Sequence, residues 1–97
     1  MRVDFEAVLW RWDARPGLWT FVTVPEELSD EILDRTAGYT HGFGSVRVEA
    51  TIGGTTWRTS IFPGDSGYWL PIKRKVREAE GLVLDGNARV SLVLVDL

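Results

Sequence analysis

The chain has 97 residues, 44% of them hydrophobic and 26% charged, with a formal net charge of −3. This length and composition predict a single globular domain over residues 1–97 and exclude an intrinsically disordered tail. The acidic balance argues against general nucleic-acid binding, which depends on basic surface, and the lack of cysteine excludes disulfides and thiolate chemistry.

The N-terminal segment is predicted to form a β-hairpin. Residues 3–9 alternate apolar and polar side chains, as a half-buried strand does. Turn-forming residues over 13–17 interrupt this pattern, and a second strand follows over 18–24. We therefore expect these two strands to pair with each other.

A short helix is predicted over residues 26–37. Pro25 ends the preceding strand, and acidic side chains crowd the start of the helix, where the helix dipole favours negative charge. Ser29 is an alternative N-cap of a shorter helix, and Gly38 is the expected C-cap. Leu28, Ile32 and Leu33 share the face expected to pack inward.

The clearest hairpin of the chain joins residues 46–52 to residues 55–62. A Gly-Gly pair at 53–54 supplies a two-residue turn between two alternating strands. This turn places Glu49 opposite Arg58, and opposite charges across a ladder stabilise it by about 0.2–1 kcal/mol. The same register pairs Ile52 with Thr55 and Ala50 with Trp57.

The C-terminal third is predicted to contain two strands and a helix. A turn over 63–67 precedes a strand over 68–72, in which Pro71 marks a strand end or a sheet edge. A helix over 73–79 follows, and the chain closes with a strand over 87–97. Val76 and Ala79 are expected to face inward, with Gly81 as the stop of the helix.

Two stretches of the chain share one plan of strand, proline, short helix, glycine and strand. The first begins with the strand before Pro25 and the second with the strand before Pro71, roughly 45 residues later. This repeat predicts a mainly β fold, a small closed or partly split β-barrel with pseudo-twofold symmetry and two short helices. Closure of a barrel also protects the edge strands of a small β domain.

Three stretches carry a family resemblance. They are GSVRVEATIGGTTWRTSIFP at 44–63, YWLPIK at 68–73 and VREAEGL at 76–82, supported by residues 5–7 and 24–27. Together they resemble the bacterial family named domain of unknown function 1905 over nearly the whole chain.

The resemblance implies a double-split β-barrel, the architecture of AbrB-like transition-state regulators and MazE-like antitoxins. In those proteins two chains complete the barrel, whereas one chain supplies both halves here. The chain departs from their pattern at residues 84–87, which read Leu-Asp-Gly-Asn where a Gly-Asp turn is usual. The family name assigns no function, and fold alone does not assign one.

The polar face of the central hairpin is the first candidate binding site. Its register places Arg47, Arg58 and Ser60 on one face, where two guanidinium groups can clamp a carboxylate or a phosphate. Alternatively, this face is simply solvated and Arg58 pairs with Glu49.

A basic cluster on the second helix is the next candidate. A phosphate or nucleic acid can be held by the basic and aromatic side chains of this segment, which are Lys73, Arg74, Lys75 and Arg77 with Tyr68 and Trp69 nearby. A solvated helix face is the alternative explanation of such a charge run.

Catalytic and metal-binding motifs are lacking. His41 is the one histidine, and the sequence gives it neither a partner for acid–base chemistry nor a set of metal ligands. The glycines of residues 38–44 match no phosphate-binding motif. We expect no catalytic residue, no metal site and no cofactor.

Five tryptophans are many for this length, and we predict that they fill the small core, Trp57 among them. An exposed aromatic platform for a ligand is the alternative.

The function that these features favour is a non-enzymatic binding module for a small anionic ligand or a protein partner. The alternatives are a nucleic-acid-associated regulator, against which the charge argues, and a small enzyme with an unfamiliar site. A cytoplasmic location without a membrane partner is expected, because the N-terminus does not resemble a signal peptide. Furthermore, no apolar run approaches the roughly 20 residues that span a bilayer.

Overall fold

Strands dominate the computed structural model, which describes residues 1–12, 19–38 and 44–95. Seven strands and two helices lie within these ranges, and the helices connect strands of the barrel. In chain order the elements are β1 Arg2–Val8, β2 Trp10–Trp12, β3 Trp19–Thr23, α1 Glu26–Thr36, β4 Val46–Ile52, β5 Thr55–Pro63, β6 Tyr68–Ile72, α2 Arg74–Glu80 and β7 Asn87–Leu94.

The strands form one antiparallel sheet in the order β1-β7-β4-β5-β6-β3-β2. Its two end strands, β1 and β2, are consecutive in the chain and meet at Leu9. On the opposite side β5 runs without a break from β4 to β6, which it pairs through Phe62 and Pro63. The sheet therefore curls into a small split β-barrel, and the predicted mainly β fold is confirmed.

The barrel has internal twofold symmetry in its topology. Exchanging β1–β2 with β5, β3 with β6, α1 with α2 and β4 with β7 preserves the pairings of the sheet. The exchanged strands β3 and β6 pair with each other, as do β4 and β7. The two stretches of sequence that share the plan of strand, proline, short helix, glycine and strand thus correspond to two similar halves of one barrel.

The N-terminal strand differs from its prediction. Leu9 divides it, so that β1 pairs with β7 and β2 alone pairs with β3. The Leu9 N–H donates to the Gly86 carbonyl at 2.9 Å, and the Asp85 N–H donates to the Leu9 carbonyl at 2.8 Å. These bonds tie the break to the turn before β7, so the predicted hairpin is correct for β2 and wrong for β1. The predicted turn over 13–17 lies outside the described residues.

Helix α1 agrees with its predicted range within one residue. The alternative of a shorter helix with Ser29 as its N-cap is wrong, since Pro25 is the N-cap. The C-cap is Ala37, and Gly38 follows it with φ 87°. The predicted inward face is wrong at one position. Leu33 faces solvent with 56% of its surface exposed, while Thr36 is buried.

Ser29 instead connects α1 to the barrel. Its buried hydroxyl donates to the Val24 carbonyl and accepts from the Tyr68 N–H, each at 3.0 Å. Val24 follows β3 and Tyr68 begins β6, so one hydroxyl joins a helix to two strands.

Helix α2 begins one residue later than predicted, after the N-cap Lys73. Val76 is buried as expected, whereas Ala79 is exposed because the helix contacts the barrel along a narrow stripe. Gly81 ends the helix in the left-handed conformation, with φ 61° and its N–H donating to the Arg77 carbonyl. Strand β7 was predicted to reach residue 97 but ends at Leu94, and residues 96–97 lie outside the described part.

The core fills the barrel with inward-facing side chains from every strand except β2, together with Leu9 at the break. Alternate residues of each strand point inward, as the period of two requires. The central members are fully buried, each 0% exposed, and include Val22, Val48, Ile61, Leu70, Val90 and Leu92. From α1, Ile32 also packs into this cluster.

The outer surface of β1 and β7 carries an exposed polar network around Asp4. Its carboxylate accepts hydrogen bonds from the Ser91 hydroxyl and, at 3.3 Å, from the Arg2 guanidinium. The hydrogen bond from Ser91 is the largest cause lowering the pKa of Asp4, and Arg2 lowers it further. The folded state thus binds a proton at Asp4 less readily than the unfolded state does.

Replacing Ser91 by alanine is expected to raise the pKa of Asp4 toward its ordinary value, as measured by NMR titration of its carboxyl carbon. A lowered pKa contributes stability above the unfolded-state pKa, and this contribution is lost as the pH falls through the folded-state pKa. Thr56→Ala, which removes a hydroxyl bonded to Thr51 on β4, is the control and should leave Asp4 unchanged. An Asp4 titration that is identical in the Ser91 variant would contradict the assigned cause.

Candidate functional site

The β4–β5 hairpin has the predicted register. Arg47 lies opposite Ser60 and Glu49 opposite Arg58, so the two arginines and the serine share the outer face of the barrel. Together with Phe62, the next outward-facing residue of β5, they line a concave surface that encloses a volume of about 390 Å³. We call the surface formed by Arg47, Arg58, Ser60 and Phe62 the arginine surface.

The charges of the arginine surface are accessible to solvent. The Arg58 Nε lies 3.6 Å from a carboxylate oxygen of Glu49, and the Arg58 side chain is 73% exposed. The ion pair expected as the alternative explanation is therefore present. At such exposure a pair contributes about 0–1 kcal/mol, so Arg58 can exchange Glu49 for another anion at little cost.

The other predicted ligand-binding residues lie elsewhere. Tyr68 is buried at the start of β6 and lines a second cavity beside α1. Lys73 and Arg77 line a third cavity, whereas Lys75 is exposed on α2 and lines none of these three. The structure thus brings together Arg47, Arg58 and Ser60 but not the remaining members of the predicted set.

A layer of aromatic rings covers the outside of the half-barrel formed by β2, β3 and β6. Trp10 stacks on Phe21 with ring centroids 5.1 Å apart and meets Trp69 edge-on at 5.0 Å. The ring centroid of Trp12 lies 6.2 Å from that of Phe21 and 6.4 Å from that of Trp69. Phe21 is only 5% exposed, yet it is no part of the core, because the other rings bury it.

Strand registers place this layer on the side opposite the core. Trp10 pairs with Phe21, and Phe21 pairs in turn with Pro71, so all three side chains point the same way. The alternate residues of β3 and β6 point into the barrel. The outward set, which we call the aromatic face, comprises Trp10, Trp12, Trp19, Phe21, Phe62 and Trp69.

The prediction that the tryptophans fill the core is therefore wrong for four of the five. Trp57 does pack against the core, with its indole nitrogen buried and without a hydrogen-bond partner. The signal for the others was present in the sequence. The inward series that includes Phe5 continues to Leu9, and the same period of two puts Trp10 and Trp12 on the outer side.

Opposite charges flank the aromatic face. At one end, Glu26, Asp30 and Asp65 surround a cavity of about 460 Å³ between α1 and the turn after β5. Gly64 of this turn lies directly against the ring of Trp69, since a Cβ there would be 2.1 Å from the indole nitrogen. This acidic end therefore adjoins the aromatic face.

At the other end, Lys73, Arg74 and Arg77 line a cavity of about 140 Å³ with Trp19 and Pro71. Trp19 belongs to the aromatic face, and its side chain is half exposed. This basic end therefore adjoins the aromatic face on the side opposite the acidic end.

A family model described as domain of unknown function DUF1905 matches residues 5–92. The chain belongs to this family. The match contains β2 to α2 completely, with most of β1 and β7, so the arginine surface, the aromatic face and both of its charged ends are parts of the DUF1905 domain. No curated protein matches the chain.

The described part of this DUF1905 domain holds no group of three or more acidic, histidine or cysteine side chains that could bind a metal ion. His41 and the glycine-rich segment around it lie outside the described residues, apart from Gly38 and Gly44. No helix in the described ranges is long and apolar enough to cross a membrane.

Proposed function

We propose that this DUF1905 domain is a non-enzymatic binding module that holds a carboxylate or a phosphate group on the arginine surface. The observation that supports this proposal is the register of β4 and β5, which gathers Arg47, Arg58 and Ser60 in one concave surface. Two guanidinium groups and a hydroxyl are donors that suit such an anion.

The ligand expected on this surface has an apolar body attached to its anionic group. Phe62 lines the same concavity, and 42% of its surface is exposed to a bound molecule. Hydrogen bonds to charged groups contribute about 1.5–3 kcal/mol each, and Arg58 gives up only a weak exposed ion pair in exchange. Benzoate and phenyl phosphate are suitable probes because each combines a ring with one anionic group.

Thermal unfolding with increasing probe tests this function. A ligand at about 100 times its Kd adds roughly 2.7 kcal/mol to the stability of the native state. We expect stabilisation by one or both probes and at least a tenfold loss of affinity in Arg58→Ala or Arg47→Ala. Glu49→Gln should strengthen binding, since it removes the carboxylate that competes for Arg58.

Arg89→Ala is the matched control, because Arg89 is an exposed arginine paired with Glu6 on the same outer surface. It should bind the probes as the unmodified domain does. Equal losses in the Arg58 and Arg89 variants, or no stabilisation by either probe, would overturn the proposal.

Short single-stranded DNA in the same assay tests the alternative of a nucleic-acid-associated regulator. We expect no stabilisation, because the domain is acidic and carries the carboxylates of Glu26, Asp30 and Asp65 beside its aromatic face. Binding that weakens steeply with salt would favour that alternative.

A further inference from the structure

The aromatic face is a surface that the described residues of the barrel leave partly exposed. Trp19 is 50% exposed and Phe62 is 42% exposed, and both adjoin the partly buried rings of the layer. Contiguous exposed apolar surface of this kind marks an interaction site. Because the inner rings already pack on one another, a partner would find this surface largely pre-organised.

Among the described residues, the charges at the two ends of the face have no ion-pair partner, except Arg74, whose Nε lies 2.9 Å from a carboxylate oxygen of Glu78. In the described ranges, no ion pair involves Glu26, Asp30 or Asp65 at the acidic end, nor Lys73 or Arg77 at the basic end. Each end thus offers charge that a partner of opposite charge can satisfy.

The basic end is costly for the helix that carries it. Lys73, Arg74 and Lys75 lie at the start of α2, which has no acidic residue in its first turn. The helix dipole favours negative charge there, so these cations oppose the local stability of α2, an effect that the ion pair of Arg74 with Glu78 offsets only for Arg74. Basic residues kept at a helix start despite this unfavourable interaction with the dipole indicate a role outside the helix.

We infer that the aromatic face binds a second copy of this chain, packed about a twofold axis with the basic end of each copy on the acidic end of the other. One surface carries both charges, which is the self-complementarity that a twofold interface requires. The internal symmetry of the barrel places the two ends on either side of the β3–β6 pair. A single rotation therefore brings both charged contacts into register.

Trp19 is the residue that this arrangement buries most. It stands at the basic end, so in the dimer it faces the acidic end of the other copy. The cavity there, of about 460 Å³, is lined by apolar Leu33, Pro63 and Gly64 as well as the carboxylates. This volume lies within the range of about 300–1,000 Å³ that is typical of ligand pockets. An indole with flanking cations thus meets an apolar cavity with an acidic rim.

Sedimentation-velocity ultracentrifugation over a dilution series tests the dimer. We expect a species of twice the monomer mass that dissociates on dilution, and Trp19→Ser should weaken association at least tenfold. Val93→Ser removes a comparably exposed apolar side chain on β7, away from the aromatic face, and should dimerise normally.

Charge reversal gives the sharper test. Lys73→Glu with Arg74→Glu makes both ends acidic, and Glu26→Lys with Asp30→Lys makes both ends basic. Each double variant should be monomeric alone, and an equimolar mixture of the two should recover a dimer.

The inference would be overturned by a monomer at every concentration, by a dimer that survives both reversals, or by a mixture that stays monomeric. Steeply salt-dependent binding of single-stranded DNA to the aromatic face without self-association would also overturn it. Arg58→Ala leaves this face intact and should dimerise normally, so failure of the anion-binding proposal and failure of this one are distinguishable.

Discussion

Replacing Leu92 by alanine is expected to lower the free energy of unfolding by about 2–5 kcal/mol. Leu92 is 0% exposed and lies at the centre of the curled sheet, opposite Val3 of β1 and Ala50 of β4. The smaller side chain would leave a cavity that three strands border. Because small domains are typically stable by about 5–15 kcal/mol, this loss is a large share of the total. Urea denaturation followed by tryptophan fluorescence measures it.

Leu84→Ala is the matched control for this experiment. The same atoms are removed from a leucine that is 43% exposed before β7, where surface substitutions usually change stability by less than about 0.5 kcal/mol. If the two variants lost equal stability, Leu92 would not be the core residue that the sheet register makes it.

Replacing Gly67 by alanine is expected to cost about 2–4 kcal/mol, from backbone strain and overpacking combined. Gly67 has φ 148°, a conformation that other residues rarely adopt. An added Cβ would lie 2.3 Å from the Val24 carbonyl oxygen and 2.8 Å from the Ser29 hydroxyl. The methyl group would thus push apart the hydrogen bonds by which Ser29 joins α1 to β3 and β6.

Gly54→Ala makes the same change in the turn of the β4–β5 hairpin, where a Cβ meets nothing within 4 Å. Its effect on the melting temperature should be small compared with that of Gly67→Ala. If the Gly67 and Gly54 variants had the same melting temperature, the turn after β5 would accommodate a side chain at residue 67 without loss of stability.

Elements that depend on neighbouring residues could be predicted from the sequence. The β4–β5 hairpin has its predicted register because a two-residue Gly-Gly turn leaves one way to pair the flanking strands. Both helices lie within one residue of their expected starts, since proline or polar residues before them and the glycine that ends α2 act locally. The arginine surface followed from that hairpin alone.

The N-terminal strand could not be predicted in full. Its alternation identified a strand but not its partner, because β1 pairs with β7, a strand at the other end of the chain. The break at Leu9 depends on the turn at Asp85 and Gly86, which the chain brings beside it only after folding.

The candidate site shows the same division. Period-two alternation places Trp10 and Trp12 on one side of their strand, but which side faces the core is decided by the direction in which the sheet curls. Similarly, the sequence shows an acidic and a basic helix, whereas only the pairing of β3 with β6 sets them at opposite ends of one aromatic face.

By itself, the sequence determined the family, the mainly β class, the helices and the central hairpin with its arginines, because short-range turn, capping and periodicity rules act between near neighbours. Only the tertiary structure decided how β1 and β2 divide, which tryptophans lie outside the core and where the charged ends meet the aromatic face. Those features depend on the curling of the sheet, which brings distant segments together and buries one side of each strand.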